Sequence, residues 1–574
     1  MSTEAGSIEA PAPPPPWLRV YPEGVPWLQH FAPAPLYEIL DRSVRSHPNL
    51  ICTKFLGRTT TYGEIGEAVS RTAAGLAALG VGPGTRVGLF LPNSPTFLIY
   101  YFAVLKTGAT VVNFNPLYSV EELAHQVRDS GTTLMVTLDL DILFAKVGAL
   151  LEQGVLPRAV VASFPTLLPT AKSILFRIFR RRELADVSRL VRADRIIPET
   201  ALATRTSFSP PPIDPLKDVA VLQYTGGTTG TPKGAMLTHA NCHINVQQVA
   251  AWSPGLEVGA ERVLGVLPFF HVFAMTVVMN LAVAKAAEIV IMPRFGLDDC
   301  LKLIDRERPT LMPGVPTLFG AIVNHARLAD HDLSSLKLCI SGGAPLPLEI
   351  KGRFEQLTGC KIVEGYGLSE TAPVATCTPL DGLQKPGSIG LPLPATRISL
   401  RDLSDPTREV SLGEKGEICI AGPQVMAGYW QKPAETADAF VGEFFRTGDV
   451  ARMDDDGYLF IEDRIKDLII CSGYKVYPRR VEEAIYTHPD VEEVTVIGIR
   501  AGLRGEAPKA FVKRRADTTL DAPALMAHLA DKLSRHELPV EIEFRDALPK
   551  TMIGKLSKKE LKAEEAARLA RGAA

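Results

Sequence analysis

The chain has 574 residues, long enough for two or more domains with ample buried core. Its composition, 46% hydrophobic and 22% charged, is that of an ordinary globular protein, and a formal net charge of -2 gives no global attraction for nucleic acid. The eight cysteines (Cys52, Cys242, Cys300, Cys339, Cys360, Cys377, Cys419 and Cys471) are scattered, with no Cys-x-x-Cys pair and no clustered histidines. That argues against a disulfide framework or a zinc site and fits reduced thiols in the cytoplasm.

The first residues, MSTEAGSIEAPAPPPPW, lack the basic start and apolar core of a secretory signal. With the proline run Pro13 to Pro16, they predict a disordered, Pro-rich tail and lead-in over residues 1–35. From Thr61 to Val136 the pattern alternates. TYGEIGEAVSRTAAGLAALG has helical periodicity and ends in glycine, RVGLFLPN is a short apolar strand, and SPTFLIYYFAVLKTGA is a second helix. TVVNFN is another strand and VEELAHQVRDSG another helix. Strands alternating with helices imply parallel βαβ units and an α/β fold, and the alternation recurs from Val219 to about Cys377.

The segment Ala171 to Arg182, AKSILFRIFRRR, breaks this pattern. On a helix, Ile174, Leu175, Ile178 and Phe179 form one apolar stripe, with Lys172, Arg177 and Arg180 to Arg182 beside it. Such a helix can lie on an anionic membrane surface, or it can pack on its own domain with solvated arginines. LGVLPFFHVFAMTVVMNLAVA (Leu264 to Ala284) is long and apolar, but Pro268, His271 and Asn280 interrupt it. The clean part after His271 is too short for a bilayer and predicts a buried helix, so no transmembrane segment is expected.

After Gly390 short strands separated by glycine and Asp-Asp-Gly turns predominate: EKGEICIAG, YLFIED and DLIICSGYKVY. Strands at Val494 to Ile499 and Lys509 to Lys513, then helices at Ala522 to Ser534 and Lys558 to Arg571, predict a small α+β domain at the C-terminus. The division expected is a large N-terminal domain of layered parallel-sheet βα subdomains plus a β-rich subdomain, residues 36–465, and a small mobile domain, residues 466–574.

The densest chemistry lies in YTGGTTGTPKG (Tyr224 to Gly234), with four glycines, four threonines and a lysine in eleven residues after the apolar strand VAVLQ. Glycines let backbone N–H groups approach an anion, threonine hydroxyls add donors and Lys233 adds charge, so phosphate is the natural guest. The P-loop pattern needs Gly-Lys leading into a helix, whereas Pro232 precedes Lys233 here; no Gly-x-Gly-x-x-Gly is present either. A flexible loop without a ligand is the bland alternative.

This segment resembles the phosphate loop of the adenylate-forming superfamily: acyl-CoA synthetases, nonribosomal-peptide adenylation domains and luciferases. The superfamily's other signatures follow in the same order: SGGAPL (Ser341 to Leu346), EGYGLSET (Glu364 to Thr371), TGD (Thr447 to Asp449), DRIKDLIICSGYKVYP (Asp463 to Pro478) and PKTMIGK (Pro549 to Lys555). Similarity runs from about Leu36 to Lys562. Within the superfamily, NFNPLYSVEELAHQVRDSG, LQYTGGTTGTPKGAMLTHAN, GSIGLPLP and GPQVMAGYWQKP are similar to bacterial long-chain fatty acyl-CoA synthetases.

The resemblance implies a ligase that converts a fatty acid to its acyl-adenylate with ATP and Mg²⁺, then to a thioester with coenzyme A. It assigns nucleotide contact to Thr225, Gly226, Gly227, Thr228, Thr229, Gly230, Lys233, Gly343, Ala344, Glu364, Gly365, Tyr366, Gly367, Thr371, Asp449, Arg464 and Lys555. Lys555, Glu370 and Thr225 carry the catalysis in this scheme, with Thr225 and Glu370 as magnesium partners. Asp449 would accept from the ribose diol with Arg464 nearby, and Gly343, Ala344 and Tyr366 would form the adenine slot. Phe269, Phe270, His271 and Phe273 would line the acyl pocket. Lys466 would be the pivot of the small domain, and Ser472, Gly473 and Tyr474 would line the coenzyme A tunnel. Some relatives carry a second lysine where this chain has Ile470, so ATP contacts there do not carry over.

Each of these residues has a plainer reading. From spacing alone Lys555 is a surface lysine near Lys558 and Lys559, Glu370 a capping residue, Tyr366 and His271 core residues, and Arg464 an ion-pair partner of Asp463 or Asp467. Among enzymes the alternatives are a medium-chain, aromatic or dicarboxylate CoA ligase, or transfer to a carrier protein. Outside them stands an acyl- or adenylate-binding protein without turnover. The expected setting is cytoplasmic, with peripheral contact to the inner membrane face through Ala171 to Arg182 and assembly as a homodimer left open.

Overall fold

The structure is a computed structural model and describes residues 14–187, 193–202, 208–225, 232–471, 474–501, 505–551 and 555–572. Local signals set the helix starts. Thr61 with Glu64, and Ser119 with Glu122, form capping boxes at Tyr62–Ala78 and Val120–Ser130, and Ser94 Oγ accepts from the Phe97 N–H at the head of Pro95–Lys106. Gly131, at φ +64°, closes Val120–Ser130 in the left-handed region.

The alternating segments build two mixed sheets. One has seven strands in the order Ile196–Pro198, Arg158–Ala162, Leu134–Leu138, Arg86–Leu89, Thr110–Asn113, Val219–Thr225, Lys233–Thr238. All its pairings are parallel except the last, which is antiparallel. The other has nine strands, parallel at the centre from Leu311–Gly314 to Lys361–Gly367 and closed by antiparallel Val374–Cys377 and Leu391–Pro392. The hairpin Ile51–Phe55/Arg58–Thr61 crosses over to edge this second sheet, with Thr53 opposite Ile289. The β-rich stretch after Gly390 forms a five-stranded antiparallel sheet that ends in Leu459–Arg464.

One hydrophobic core runs from Trp17 to Leu459, and a separate one begins at Ile469. The break falls at the one-turn 3₁₀ helix Ile465–Asp467. Beyond it, Val491–Arg500, Glu506–Arg514 and Glu541–Phe544 form a three-stranded sheet packed by Pro478–Tyr486, Ala522–Leu529 and Lys558–Gly572. The α/β body with a smaller α+β unit matches the architecture expected from the alternation.

One expectation needs correction and another is refined. The lead-in is ordered from Pro16 onward rather than disordered: Trp17 is buried, Tyr21 Oη donates to Pro392 O at 2.8 Å and Trp27 Nε1 to Thr396 O at 3.1 Å. Aromatic side chains anchor a stretch that its prolines alone would leave free. The apolar run after His271 is helical and buried, as expected, but Ala274–Asn280 winds as a π-helix before Leu281–Ala284. Among the described residues no helix is long and apolar enough to cross a membrane.

Candidate functional site

A cleft of about 2000 Å³ opens where the two cores meet, and both parts of the chain line it. Thr225 and Lys233 stand opposite each other at the ends of two antiparallel strands, so both face the cleft beside the phosphate-loop segment. Gly226, Gly227, Thr228, Thr229 and Gly230 lie outside the described residues.

Glu370 sits on the buried turn Ser369–Thr371. Burial raises its carboxyl pKa, against a hydrogen bond from Tyr429 Oη to Oε1 at 2.8 Å that lowers it. The same Tyr429 ring lies 5.0 Å from Lys233 Nζ, within cation–π range. One aromatic residue thus braces both the loop lysine and the expected metal carboxylate. Within MAGYWQKP, Tyr429 is a lone tyrosine after glycine with no spacing signal, and only the fold brings it to Glu370.

The expected ribose and adenine residues come together. Asp449 and Arg464 are register partners on adjacent strands, with Arg464 Nε 2.9 Å from Asp449 Oδ1. Tyr366 Oη donates to Asp449 Oδ2 at 2.7 Å. Each carboxylate oxygen holds one donor and keeps a lone pair for another, the capacity a diol needs. Arg464 therefore pairs with Asp449 across the sheet rather than with Asp463 or Asp467 through its side chain. Gly365 and Ala344 line the same wall, and Glu364 accepts from the Leu346 N–H at 3.2 Å, tying SGGAPL to EGYG. Gly367 has no room for a side chain: a Cβ there would stand 1.8 Å from Pro373 O.

Lys555 enters this site from the other part of the chain. Its side chain lies over Gly343, where a Cβ would meet Lys555 Cε at 2.6 Å; the left-handed φ of +85° also favours glycine. Thr551 N–H donates to Lys555 O at 2.6 Å and Lys555 N–H to Thr551 Oγ1 at 3.1 Å. Burial pulls the Lys555 pKa down to about 8, helped by the Arg464 charge and opposed by Asp449. His271 is lowered to about 3, by burial first and then by Lys555, so it is neutral near pH 7. Lys555 therefore lies inside the cleft rather than on the outer surface, and Arg464 is an ion-pair partner, of Asp449.

Other expected residues fall differently. Phe270, His271 and Phe273 line the cleft, but Phe269 does not: it is fully buried, its ring 5.9 Å from Phe97 and its N–H bound to Asn93 Oδ1 at 2.7 Å. Of the pair, only Phe270 reaches the cleft. Thr371 is also buried, its hydroxyl holding the turn through Leu368 and Pro373 instead of facing a ligand. Lys466 lies on the turn between the two cores and lines the cleft, its pKa lowered by burial and by Arg464. Tyr474 is exposed and stacks on His536 at 4.8 Å; Ser472 and Gly473 lie outside the described residues.

The donor set can be tested against magnesium. Among the described residues no three His, Cys, Asp or Glu side chains cluster to hold a metal alone. A hydroxyl, one buried carboxylate and room for phosphates and water is the sparse oxygen set that Mg²⁺ takes, so Thr225 and Glu370 fit it.

The family model of AMP-binding enzymes matches residues 40–430 and that of the AMP-binding enzyme C-terminal domain residues 480–555, so the chain belongs to the AMP-binding, adenylate-forming enzymes. It is 41% identical to a long-chain-fatty-acid–CoA ligase of Bacillus subtilis (strain 168), over 96% of this chain and 98% of that one. It is 36% identical to a long-chain-fatty-acid–CoA ligase of Escherichia coli O157:H7, over 96% and 98%. Among solved structures it is similar to the ATP-bound MatB of Rhodopseudomonas palustris, with a TM-score of 0.80 and 27% identity over 92% of this chain and 98% of that chain.

Proposed function

We propose that the protein is a long-chain-fatty-acid–CoA ligase, an AMP-forming acid–thiol ligase. A fatty carboxylate oxygen attacks the α-phosphorus of ATP and expels pyrophosphate; the thiol of coenzyme A then attacks the acyl carbon and AMP departs with the bridging oxygen. The observation that carries this reading is Lys555, brought from the C-terminal part of the chain against Gly343 beside Arg464 and Asp449. A preorganised cation there stabilises charge on the α-phosphate and orients the carboxylate. Phosphoryl chemistry of this kind is mostly positioning and charge neutralisation.

Thr225 and Glu370 would hold Mg²⁺, which neutralises phosphate charge when bound, and Tyr429 keeps the Glu370 carboxylate aimed. Asp449 takes the ribose hydroxyls and Tyr366 the face of the base. Rotation of residues 466–574 about Lys466 withdraws Lys555 and opens a path past Tyr474 for coenzyme A. The acyl chain runs past Phe270 and Phe273. The lining supplied by Val249–Val277 and Val315–Ile340 carries no lysine or arginine, which favours a fatty monocarboxylate over a dicarboxylate. The setting of the reading is the cytoplasm, at the inner membrane face.

A substrate panel tests it: pyrophosphate and AMP release with acids of increasing length, with and without coenzyme A. Release that grows toward long chains and needs coenzyme A for full turnover is expected. Release only with aromatic or dicarboxylic acids, or with none, contradicts it.

A further inference from the structure

The cleft has an apolar arm that leaves the phosphate site along the nine-stranded sheet. Ile340, Val363, Gly365, Cys377, Ile389 and Leu393 line it from the sheet. Register sets Gly342 beside Gly365, Gly365 beside Cys377, and Cys377 beside Leu391 on the edge strand. Three strand spacings of about 4.8 Å give a crossing of roughly 14 Å from Gly342, the chain neighbour of Gly343, to that edge. A Cβ on Gly365 would meet only Ile340 Cγ2 among the described residues, at 3.8 Å, so the sheet there faces open space. Two helices roof the arm. Phe273, at the head of the π-helix Ala274–Asn280, packs so close that its Cζ would stand 3.0 Å from a Cβ on Gly342. The helix His239–Trp252 is tied to the sheet by Asn245 Nδ2, which donates to Val374 O at 2.8 Å.

Trp252, the last residue of His239–Trp252, closes the far end of the arm. It is buried, and its Nε1 donates to the carbonyl of Thr378, the residue after Cys377, at 3.2 Å. Its ring meets Tyr21 edge-on at 5.2 Å, and Tyr21 is itself tied to Pro392 O on the edge strand. A hydrogen bond on one side and a tethered aromatic ring on the other fix the indole, which makes it a wall rather than a swinging gate. Val249 stands one turn earlier on the same helix face and lines the same arm. Every side chain named along the arm is uncharged, as a hydrocarbon tail requires.

We propose that Trp252 is the floor of the acyl channel and sets the longest chain the enzyme accepts, the substrate being an unbranched acid whose terminal methyl stops against the indole. The inference deepens the ligase reading and rests on it. Each methylene that enters the arm leaves water, which multiplies affinity by about fourfold. The first methylene beyond the floor must displace an indole held by Thr378 and Tyr21, and overfilling a packed site is unfavourable. Preference therefore rises with length and then falls at one length, which Trp252 fixes.

The test is kcat/KM of the full chain, with ATP and coenzyme A, over a series of saturated straight-chain acids for wild type, Trp252→Leu and Val249→Phe. In wild type, kcat/KM should climb with length and then drop by about tenfold or more at one step. Trp252→Leu lowers the floor, so the drop should move to acids longer by about two carbons or more. Val249→Phe fills the arm one turn above the floor, so the drop should move to shorter acids. The readout is the ratio between successive lengths within one variant, so a general loss of activity does not blur it, and thermal melting reports whether each variant folds. Val249→Phe keeps the indole and its partners in place and decides the matter alone if Trp252→Leu does not fold. The proposal is overturned if the drop stays at the wild-type length in either folded variant, or if both variants move it the same way. A wild type that is active on fatty acids with an immovable drop removes only the floor. A wild type that turns over no acid of any length removes the ligase reading, and this inference with it.

Discussion

Lys555 is a half-buried cation inside the cleft with a second cation, Arg464, for a neighbour, and this sets its pH behaviour. Burial and Arg464 hold its pKa down to about 8, so it is largely charged near pH 7 and loses its proton as pH rises through about 8. The pH profile of kcat/KM for ATP in adenylation should therefore fall on its alkaline side near pH 8. In the kcat profile the fall should come at higher pH, because bound phosphate favours the charged form. Lys555→Arg carries a guanidinium that stays protonated, so its profile should lack that limb; an unchanged limb would show that another group sets it. At this scale the sequence was informative where residues are dense or ordered. The glycine–threonine run pointed to a phosphate loop, and the order of six motifs singled out Glu370, Asp449 and Lys555, which the fold brings to one cleft. It failed where orientation decides, as for Phe269 against Phe270, and where two distant residues meet, as for Tyr429 and Glu370.

Among the elements, the sheet of the C-terminal part that carries Lys555 is held by an ionic knot around the buried Lys509. Lys509 Nζ, inside the sheet, reaches Glu541 at 2.8 Å, Glu543 at 2.7 Å and Glu565 at 2.6 Å, joining two strands to the last helix. Burial alone would lower the Lys509 pKa, but the three carboxylates overcome it and leave it raised. The hydrogen bond from Lys509 leads the causes that depress Glu541; for Glu543 burial works the other way and Lys509 and Arg545 overcome it. Depressed carboxylates contribute stability that is present above their unfolded pKa and lost as pH falls through the folded value. Lys509→Met should destabilise this domain by about 3 kcal/mol, the low end for breaking a buried ion pair, because Arg545 and Arg568 still flank the acids. Its acid unfolding should also begin at higher pH than in wild type. Denaturant melts at several pH values check both; equal midpoints would show that the knot is idle. The elements themselves were legible from periodicity and caps. Their edges were not, because pairs such as Thr53 with Ile289 join strands far apart in sequence.

Over the whole molecule two large cores meet at one turn, with Lys555 on the smaller side. Alternating helices and strands made the α/β body legible, and the change of texture after Gly390 marked the β-rich part. The division expected at 465/466 came from the resemblance at DRIKD rather than from periodicity or texture; in the structure one core ends at Leu459 and the next begins at Ile469, on either side of the turn Ile465–Asp467. Because Lys555 and the rest of the phosphate site come from opposite sides of that turn, its contribution is separable by half-reaction. The direct measurement is the single-turnover rate of each half-reaction for Lys555→Ala beside wild type: adenylate formation from acid and ATP, and thioester formation from supplied acyl-adenylate and coenzyme A. Adenylate formation should fall by about 10²–10³ while thioester formation stays near wild type. Undiminished adenylate formation by the alanine variant would contradict the account.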